Sequence, residues 1–127
     1  MPAVAIGLAL LAAGLLLYWL LVSTEGVFLG RRVVVWLYDI TAHRYDRIKQ
    51  YDLADEQILV VRPVVEALGA RQQPRILDVA TGTGRVPLAV AEAVDEATFV
   101  GLDDAERMLA IAAGKMAQHR CRVALVR

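Results

Sequence analysis

The strongest constraint on this chain is the run Arg75-Ile76-Leu77-Asp78-Val79-Ala80-Thr81-Gly82-Thr83-Gly84-Arg85-Val86-Pro87. Ile76 to Val79 reads as a short buried strand beginning just after Pro74. Val86 to Val94 then places apolar residues at helical intervals, so the glycines fall between a strand and a helix. A nucleotide loop belongs at such a junction. Gly82 and Gly84 permit backbone angles closed to other residues and let the main chain come close to a ligand. Pro87 suits the first turn of the following helix, where its missing N–H leaves no bond unmade.

Two ligand classes use a loop of this kind. A dinucleotide loop sets pyrophosphate on the helix N-terminus and wants G-x-G-x-x-G, whose last glycine lets helix and strand pack closely. Here that position is Pro87. The other class has an acidic residue ending the strand and glycines directly after it, as in Asp78-x-x-x-Gly82-x-Gly84. A carboxylate there suits a cationic or amine-bearing ligand better than a pyrophosphate.

The second pattern resembles motif I of the class I S-adenosylmethionine (SAM) dependent methyltransferases, an acidic residue followed by G-x-G-x-G. Ala80 stands where the family has its first glycine, the mildest departure available. Downstream, Phe99-Val100-Gly101-Leu102-Asp103-Asp104-Ala105-Glu106-Arg107-Met108-Leu109 is similar to the family's second strand, whose terminal acidic residue bonds the ribose hydroxyls, and to the helix that begins near a Met-Leu pair. Asp103 follows the glycine loop by about 20 residues, the separation of a strand-helix-strand unit. The resemblance implies SAM as cofactor, with Asp78, Gly82, Gly84 and Asp103 holding it. Ala80 and Thr83 would contribute backbone, and Thr81 and Asp104 complete the set. Methyl transfer in this family resembles an in-line displacement at the sulfonium methyl, where positioning supplies most of the catalysis and no enzyme nucleophile is needed.

The N-terminal end is of another kind. No side chain from Pro2 to Ser23 is charged, and about 20 apolar residues at 1.5 Å rise span the roughly 30 Å hydrocarbon core of a bilayer. Tyr18 and Trp19 stand near the end of the run, where amphipathic rings prefer the interface, and Arg31 and Arg32 follow. With no basic residue ahead of the run, the positive-inside rule puts the following domain in the cytoplasm. A cleavable signal peptide is the weaker alternative, since it wants a basic leading region and a shorter apolar core. Val27 to Tyr38 is apolar around Gly30-Arg31-Arg32 and too short to span; it lies on the membrane surface or begins the soluble domain.

Tyr38-Asp39 recurs as Tyr45-Asp46, seven residues on, so two helical turns put both pairs on one face. This segment resembles the N-terminal helix of the methyltransferases of ubiquinone and menaquinone biosynthesis. In those proteins the tyrosine helps close over the cofactor, and Tyr45 is the matching position. An amphipathic helix with half-buried tyrosines explains the same residues. His43 and His119 read as surface residues.

Asp52 to Leu68 reads as helix with Ile58, Leu59, Val61, Val65 and Leu68 as its apolar face, Pro63 starting a new helix or kinking the old one, and Gly69 stopping it. Thr98 to Leu102 is the second strand, and Asp103 or Asp104 is placed to cap the next helix. Ala105 to Ala117 is a helix with apolar residues at 105, 108, 109, 112 and 116, in which Met108 and Met116 serve core packing. Cys121 to Val126 is a third strand.

The expected architecture is therefore α/β, a Rossmann-like parallel sheet of the class I methyltransferase type with about three strands, preceded by a transmembrane helix. The divisions are 1–24 as anchor, 25–72 as juxtamembrane and helical region, and 73–127 as SAM-binding domain. The family's sheet has seven strands, so the chain reads as the N-terminal portion of a methyltransferase, inactive in this form. With 14 basic and 14 acidic residues there is no basic excess to hold nucleic acid, and the lone Cys121 excludes a disulfide framework and a cysteine-based metal site. The expected partners are the lipid bilayer and a small-molecule or lipid methyl acceptor. A non-catalytic SAM-binding or docking module and an NAD-type oxidoreductase fragment are the alternatives.

Overall fold

The computed structural model describes residues 2–49 and 53–127. The chain divides into two compact units, Met1–Leu37 and Tyr38–Arg127.

In the first unit, α1 (Pro2–Tyr18) continues through a π-helical turn, Trp19–Ser23. The whole helix, Pro2–Ser23, has 22 residues and a mean hydropathy of 2.4, long and apolar enough to cross a membrane. Its apolar residues surround the axis and none is buried, so it has no face turned to a protein core. The chain leaves it through Gly26, whose φ of 74° is open to glycine and strained for other residues. A Cβ on Gly26 would stand 2.8 Å from Leu37 Cδ1, so the turn is as tight as glycine allows. Trp19 and Phe28 stack beside it with ring centroids 5.9 Å apart. A short 3₁₀ turn, Val27–Leu29, leads to α2 (Arg31–Thr41).

The second unit begins within α2. A 3₁₀ turn, Ala42–Arg44, joins α2 to α3 (Tyr45–Lys49). The heptad does bring both tyrosines to one side, with the Tyr38 and Tyr45 rings edge to face at 5.8 Å. His43 and His119 are exposed. The helix expected from Asp52 is present as α4 (Leu53–Glu56), a π-helical turn Gln57–Val61, and α5 (Arg62–Leu68), while Asp52 itself lies outside the described residues. Proline has no N–H to bond back and its ring crowds the carbonyl four residues earlier. The wide π turn ends just before Pro63 and absorbs that misfit without breaking the rod. It also rotates the apolar face. Ile58 and Leu59 are exposed at 59% and 71%, whereas Val61 is buried and Val64 packs against the core. The face expected at Ile58, Leu59 and Val65 assumes an unbroken 3.6-residue period, which the π turn interrupts. Gly69, at φ 56°, stops α5 as expected.

The sheet contains β1 (Arg75–Val79), β2 (Thr98–Leu102) and β3 (Arg122–Val126), parallel and in that order. Between them run α6 (Arg85–Ala93) and α7 (Glu106–Gln118). The register aligns Ile76 with Phe99 and Val123, and Asp78 with Gly101 and Leu125. Right-handed crossovers between successive neighbours put both helices on one side. On that side Phe99 and Val90 are fully buried with Val61 and Ala97, and Met108, Ala112 and Met116 form the buried stripe of α7. The other side leaves Leu77, Val79 and Val126 at 61%, 68% and 46% exposure.

Gly84 is where α7 comes closest to the loop after β1. A Cβ there would lie 2.5 Å from Met116 Cε, which can swing aside, and 3.1 Å from Ala112 Cβ, which cannot. Gly82 has nothing within 4 Å of its notional Cβ. Gly82→Ala is therefore expected to cost about 1–2 kcal/mol in left-handed strain alone. Gly84→Ala adds an overpacking cost of about 1–3 kcal/mol. Thermal denaturation of the two variants in detergent measures the difference, and equal melting temperatures would contradict the close approach of α7.

Candidate functional site

The loop between β1 and α6 takes its shape from three left-handed residues, Ala80, Gly82 and Gly84, at φ 61°, 54° and 76°. Ala80 bears a conformational cost that glycine would not, so the substitution that looks mildest by size is a strained one in this backbone. Hydrogen bonds hold the loop from several sides. Thr81 N donates to Leu102 O at 2.9 Å, and Thr81 Oγ1 donates to Asp78 Oδ2 at 2.6 Å. Gly84 N donates to Thr81 O at 2.9 Å. Gly101 permits this folding, because a Cβ on it would be 3.0 Å from the Thr81 side chain.

Asp103 joins this loop to the next strand-helix junction. Its Oδ2 accepts from Gly82 N at 2.7 Å and its Oδ1 from Ala105 N at 2.8 Å. Asp103, one of the two residues expected to cap the next helix, thus takes up the backbone at the start of α7, and Asp104 is exposed. The N-cap residue of α7 is Ala105, which has no side-chain acceptor to offer. Asp39 supplies one instead, its Oδ1 accepting from Arg107 N at 2.8 Å. An N-cap side chain normally bonds that second or third helical N–H.

A cavity of about 290 Å³ opens over the loop, near the lower end of the range of ligand pockets. Asp78, Ala80, Thr81, Gly82 and Thr83 form its floor. Tyr45 lines it from the helical segment. Gly84 is buried beneath, Asp103 reaches the floor through Gly82 N, and Asp104 is outside the lining. Thr81 and Thr83 contribute more than backbone: both are buried, and both side chains hold carboxylates.

The remaining wall is not legible in the sequence. Asp55, Glu56, Leu59 and Val60 come from α4 and the π turn, and Arg85 and Val86 from the start of α6. The pairs Asp55/Leu59 and Glu56/Val60 have the i, i+4 spacing of one helical face, and that spacing is the one signal the sequence offers. Arg85 donates to Glu56 Oε2 at 3.0 Å, with both side chains largely buried. Among the described residues the lining therefore carries three carboxylates, Asp55, Glu56 and Asp78, against one guanidinium.

Asp46, one residue after Tyr45, accepts from Thr83 Oγ1 at 2.6 Å through Oδ1 and from Lys115 Nζ through Oδ2. Partial burial pushes this carboxyl up, but the hydrogen bonds from Lys115 and Thr83 and the charges of Lys115 and Arg85 outweigh it and hold it below the ordinary carboxylate value. A depressed folded-state value means stability that is present above the unfolded value, near pH 4, and is lost as pH falls through the folded value. Wild type is therefore expected to melt higher than Asp46→Asn at pH 6 to 7, with the gap closing below about pH 4. Melting curves of both proteins across that range test this; a gap that stays constant to about pH 2.5 would contradict it.

Residues 76–127 match the family model described as a methyltransferase domain. No curated protein matches the chain. Among solved structures, a protein described as an S-adenosyl-L-methionine-dependent methyltransferase of Methanococcus maripaludis superposes with a TM-score of 0.59 at 22% identity, over 71% of this chain and 42% of its own. A SAM dependent methyltransferase from Aquifex aeolicus gives 0.49 at 21% identity, over 62% of this chain and 43% of its own. One from Geobacter sulfurreducens, in complex with S-adenosyl-L-homocysteine, gives 0.46 at 20% identity, over 54% and 28%. The chain thus spans less than half the length of each of these proteins. The parallel sheet, its crossovers and the glycine loop are a Rossmann-like α/β fold, and residues 76–127 carry the methyltransferase-domain match within it.

Proposed function

We propose that this chain belongs to a membrane-anchored SAM-dependent methyltransferase acting on a lipid or quinone-like acceptor. The observation that carries the reading is the charge of the cavity over the glycine loop. A pyrophosphate brought there would meet Asp55, Glu56 and Asp78, with the guanidinium of Arg85 already held by Glu56. A ligand bearing a sulfonium and an ammonium group meets attraction in the same place. The methyltransferase-domain match over 76–127 supports the same ligand class.

SAM supplies a methyl group activated on a sulfonium. The chain's own residues bind and orient. Gly82, with open space where a side chain would be, lets the loop backbone approach the ligand. Asp78, one residue before the end of β1, lines the cavity and suits a cationic group, and Asp103 directly follows β2 beside Gly82 N, where the resemblance puts the ribose hydroxyls. Tyr45, Leu59, Val60 and Val86 give the wall an apolar part that limits water around the reacting group. The exposed side chains of Leu59 in that wall and of its neighbour Ile58 favour an apolar acceptor.

The anchor reading rests on Pro2–Ser23. Its uncharged 22 residues, with Tyr18 and Trp19 near the end and Arg31 and Arg32 beyond, favour a single pass with the following domain in the cytoplasm. A phosphatase fused after Arg127 is expected to be inactive, and a cytoplasmic reporter there active. The opposite result would reverse the orientation.

Calorimetry on the full chain in detergent is expected to detect SAM and S-adenosylhomocysteine and no NADH. NADH binding without SAM binding would overturn the methyltransferase reading, and SAM binding without transfer to lipid acceptors would favour the docking-module alternative. Asp103→Ala removes a charge-assisted hydrogen bond to the ligand and is expected to weaken SAM binding by about 1.5–3 kcal/mol. It should lower stability as well, because Gly82 and Ala105 are left without their acceptor. Asp104→Ala should do less of both. The reverse order would place the ribose-facing position one residue later.

A further inference from the structure

The two aspartates of the Tyr-Asp repeat make contacts that neither their sequence nor the loop motif foretells. Asp39 accepts from Arg107 N at the start of α7, and Asp46 accepts from Lys115 Nζ near its end. The intervals differ, seven residues on one side and eight on the other. The 3₁₀ turn Ala42–Arg44 reconciles them, since it rises about 2.0 Å per residue where an α-helix rises about 1.5 Å, bringing both intervals to about 12 Å. Ala42, the first residue of that turn, is 4% exposed where the turn packs on α7. The segment thus runs beside α7, held to it at Asp39, at the 3₁₀ turn and at Asp46.

We propose that this segment is a strap that sets the shape of the glycine loop, and that Asp46 is a positioning residue acting through Thr83. The proposal rests on the cofactor reading of the cavity. Thr83 is 2% exposed, lines the cavity, and donates its hydroxyl to Asp46 Oδ1 at 2.6 Å. Tyr45, the residue before Asp46, lines the same cavity, and its ring is held by the edge of Tyr38 and by Lys49 Nζ at 5.8 Å. A ligand over the loop therefore touches two residues that the strap holds. Lifting the strap would strand a buried hydroxyl and remove Tyr45 from the wall. Strap docking and ligand binding must then favour one another, and by linkage each strengthens the other by the same factor.

The test uses the full chain in detergent, with S-adenosylhomocysteine as probe and amide hydrogen exchange as a readout that needs no ligand. Asp46→Asn and Thr83→Val are each expected to speed exchange at residues 43–47 and 82–84 about tenfold and to weaken the probe about tenfold. Combining them should cost no more than either alone, and Thr83→Ser, which keeps the hydroxyl, should stay within about threefold of wild type. Ligand should also slow exchange in residues 43–47 of the wild type. Unchanged exchange at 82–84 in Asp46→Asn, or Thr83→Ser as damaging as Thr83→Val, would overturn the strap. Should Asp46→Asn fail to fold, the Thr83→Val and Thr83→Ser pair decides. If the wild type does not bind the probe, the cofactor reading of the cavity falls, and the ligand-free exchange comparison still decides whether the strap sets the loop.

Discussion

Two backbone N–H groups from different turns, Gly82 and Ala105, converge on the single carboxylate of Asp103. The rest of the second unit follows from that junction. A loop with three left-handed residues is conformationally costly, and a strained backbone persists only where its surroundings over-determine it. Asp103 ties the loop to the β2–α7 connection, Thr81 ties it to Asp78, and the backbone of Thr81 ties it to Leu102. The ties are short and charge-assisted where Asp103 and Asp78 take part, which makes them stronger than neutral bonds. Gly84 completes the arrangement by letting α7 close against the loop with Ala112 and Met116.

The helical segment before the sheet supplies what the strand-helix units lack. Ala105 cannot cap α7, and an unsatisfied helix start costs roughly 1 kcal/mol. Asp39 provides the acceptor from 68 residues away in the chain. Asp46 does the corresponding work for Thr83 and Lys115. The π turn before Pro63 has a similar double effect. It accommodates the proline and, by adding width to one turn, aims Leu59 and Val60 at the cavity while Val61 and Val64 stay with the core. Wide turns of this sort often accompany functional sites.

These contributions mark the limit of what is legible in the sequence. The strands and crossover helices are readable because each rests on local rules: Thr98–Leu102 has the expected bounds, and β1, α6, α7 and β3 lie within one residue or so of theirs. The glycine loop is readable because Gly82 and Gly84 need φ values that few residues tolerate. The α4-to-α5 face escapes such reading because its period changes at a π turn, which no apolar pattern announces. The acidic wall of Asp55 and Glu56 escapes it for a different reason. Its two residues look like solvated helix charges until the fold brings them over a loop some 25 residues away. Long-range capping by Asp39 is invisible in the same way, since the deficiency at Ala105 and its remedy share no local pattern.

The carboxylates that shape the loop remain available to a ligand. An ionised carboxylate has about four lone-pair sites. Asp78 commits one to Thr81, and Asp103 commits two, to Gly82 and Ala105. Each keeps acceptor capacity for a hydroxyl or an ammonium group, and the protein bonds already made fix where that capacity points. A cationic ligand would then replace water at carboxylates that do not have to move, which avoids much of the ordering cost of binding. The same geometry disfavours an anion, because the backbone N–H of Gly82, the donor a phosphate would want, is already committed to Asp103. Loop rigidity and a preference for cations over anions would therefore share one physical origin, a glycine-loop amide taken up by the protein's own carboxylate.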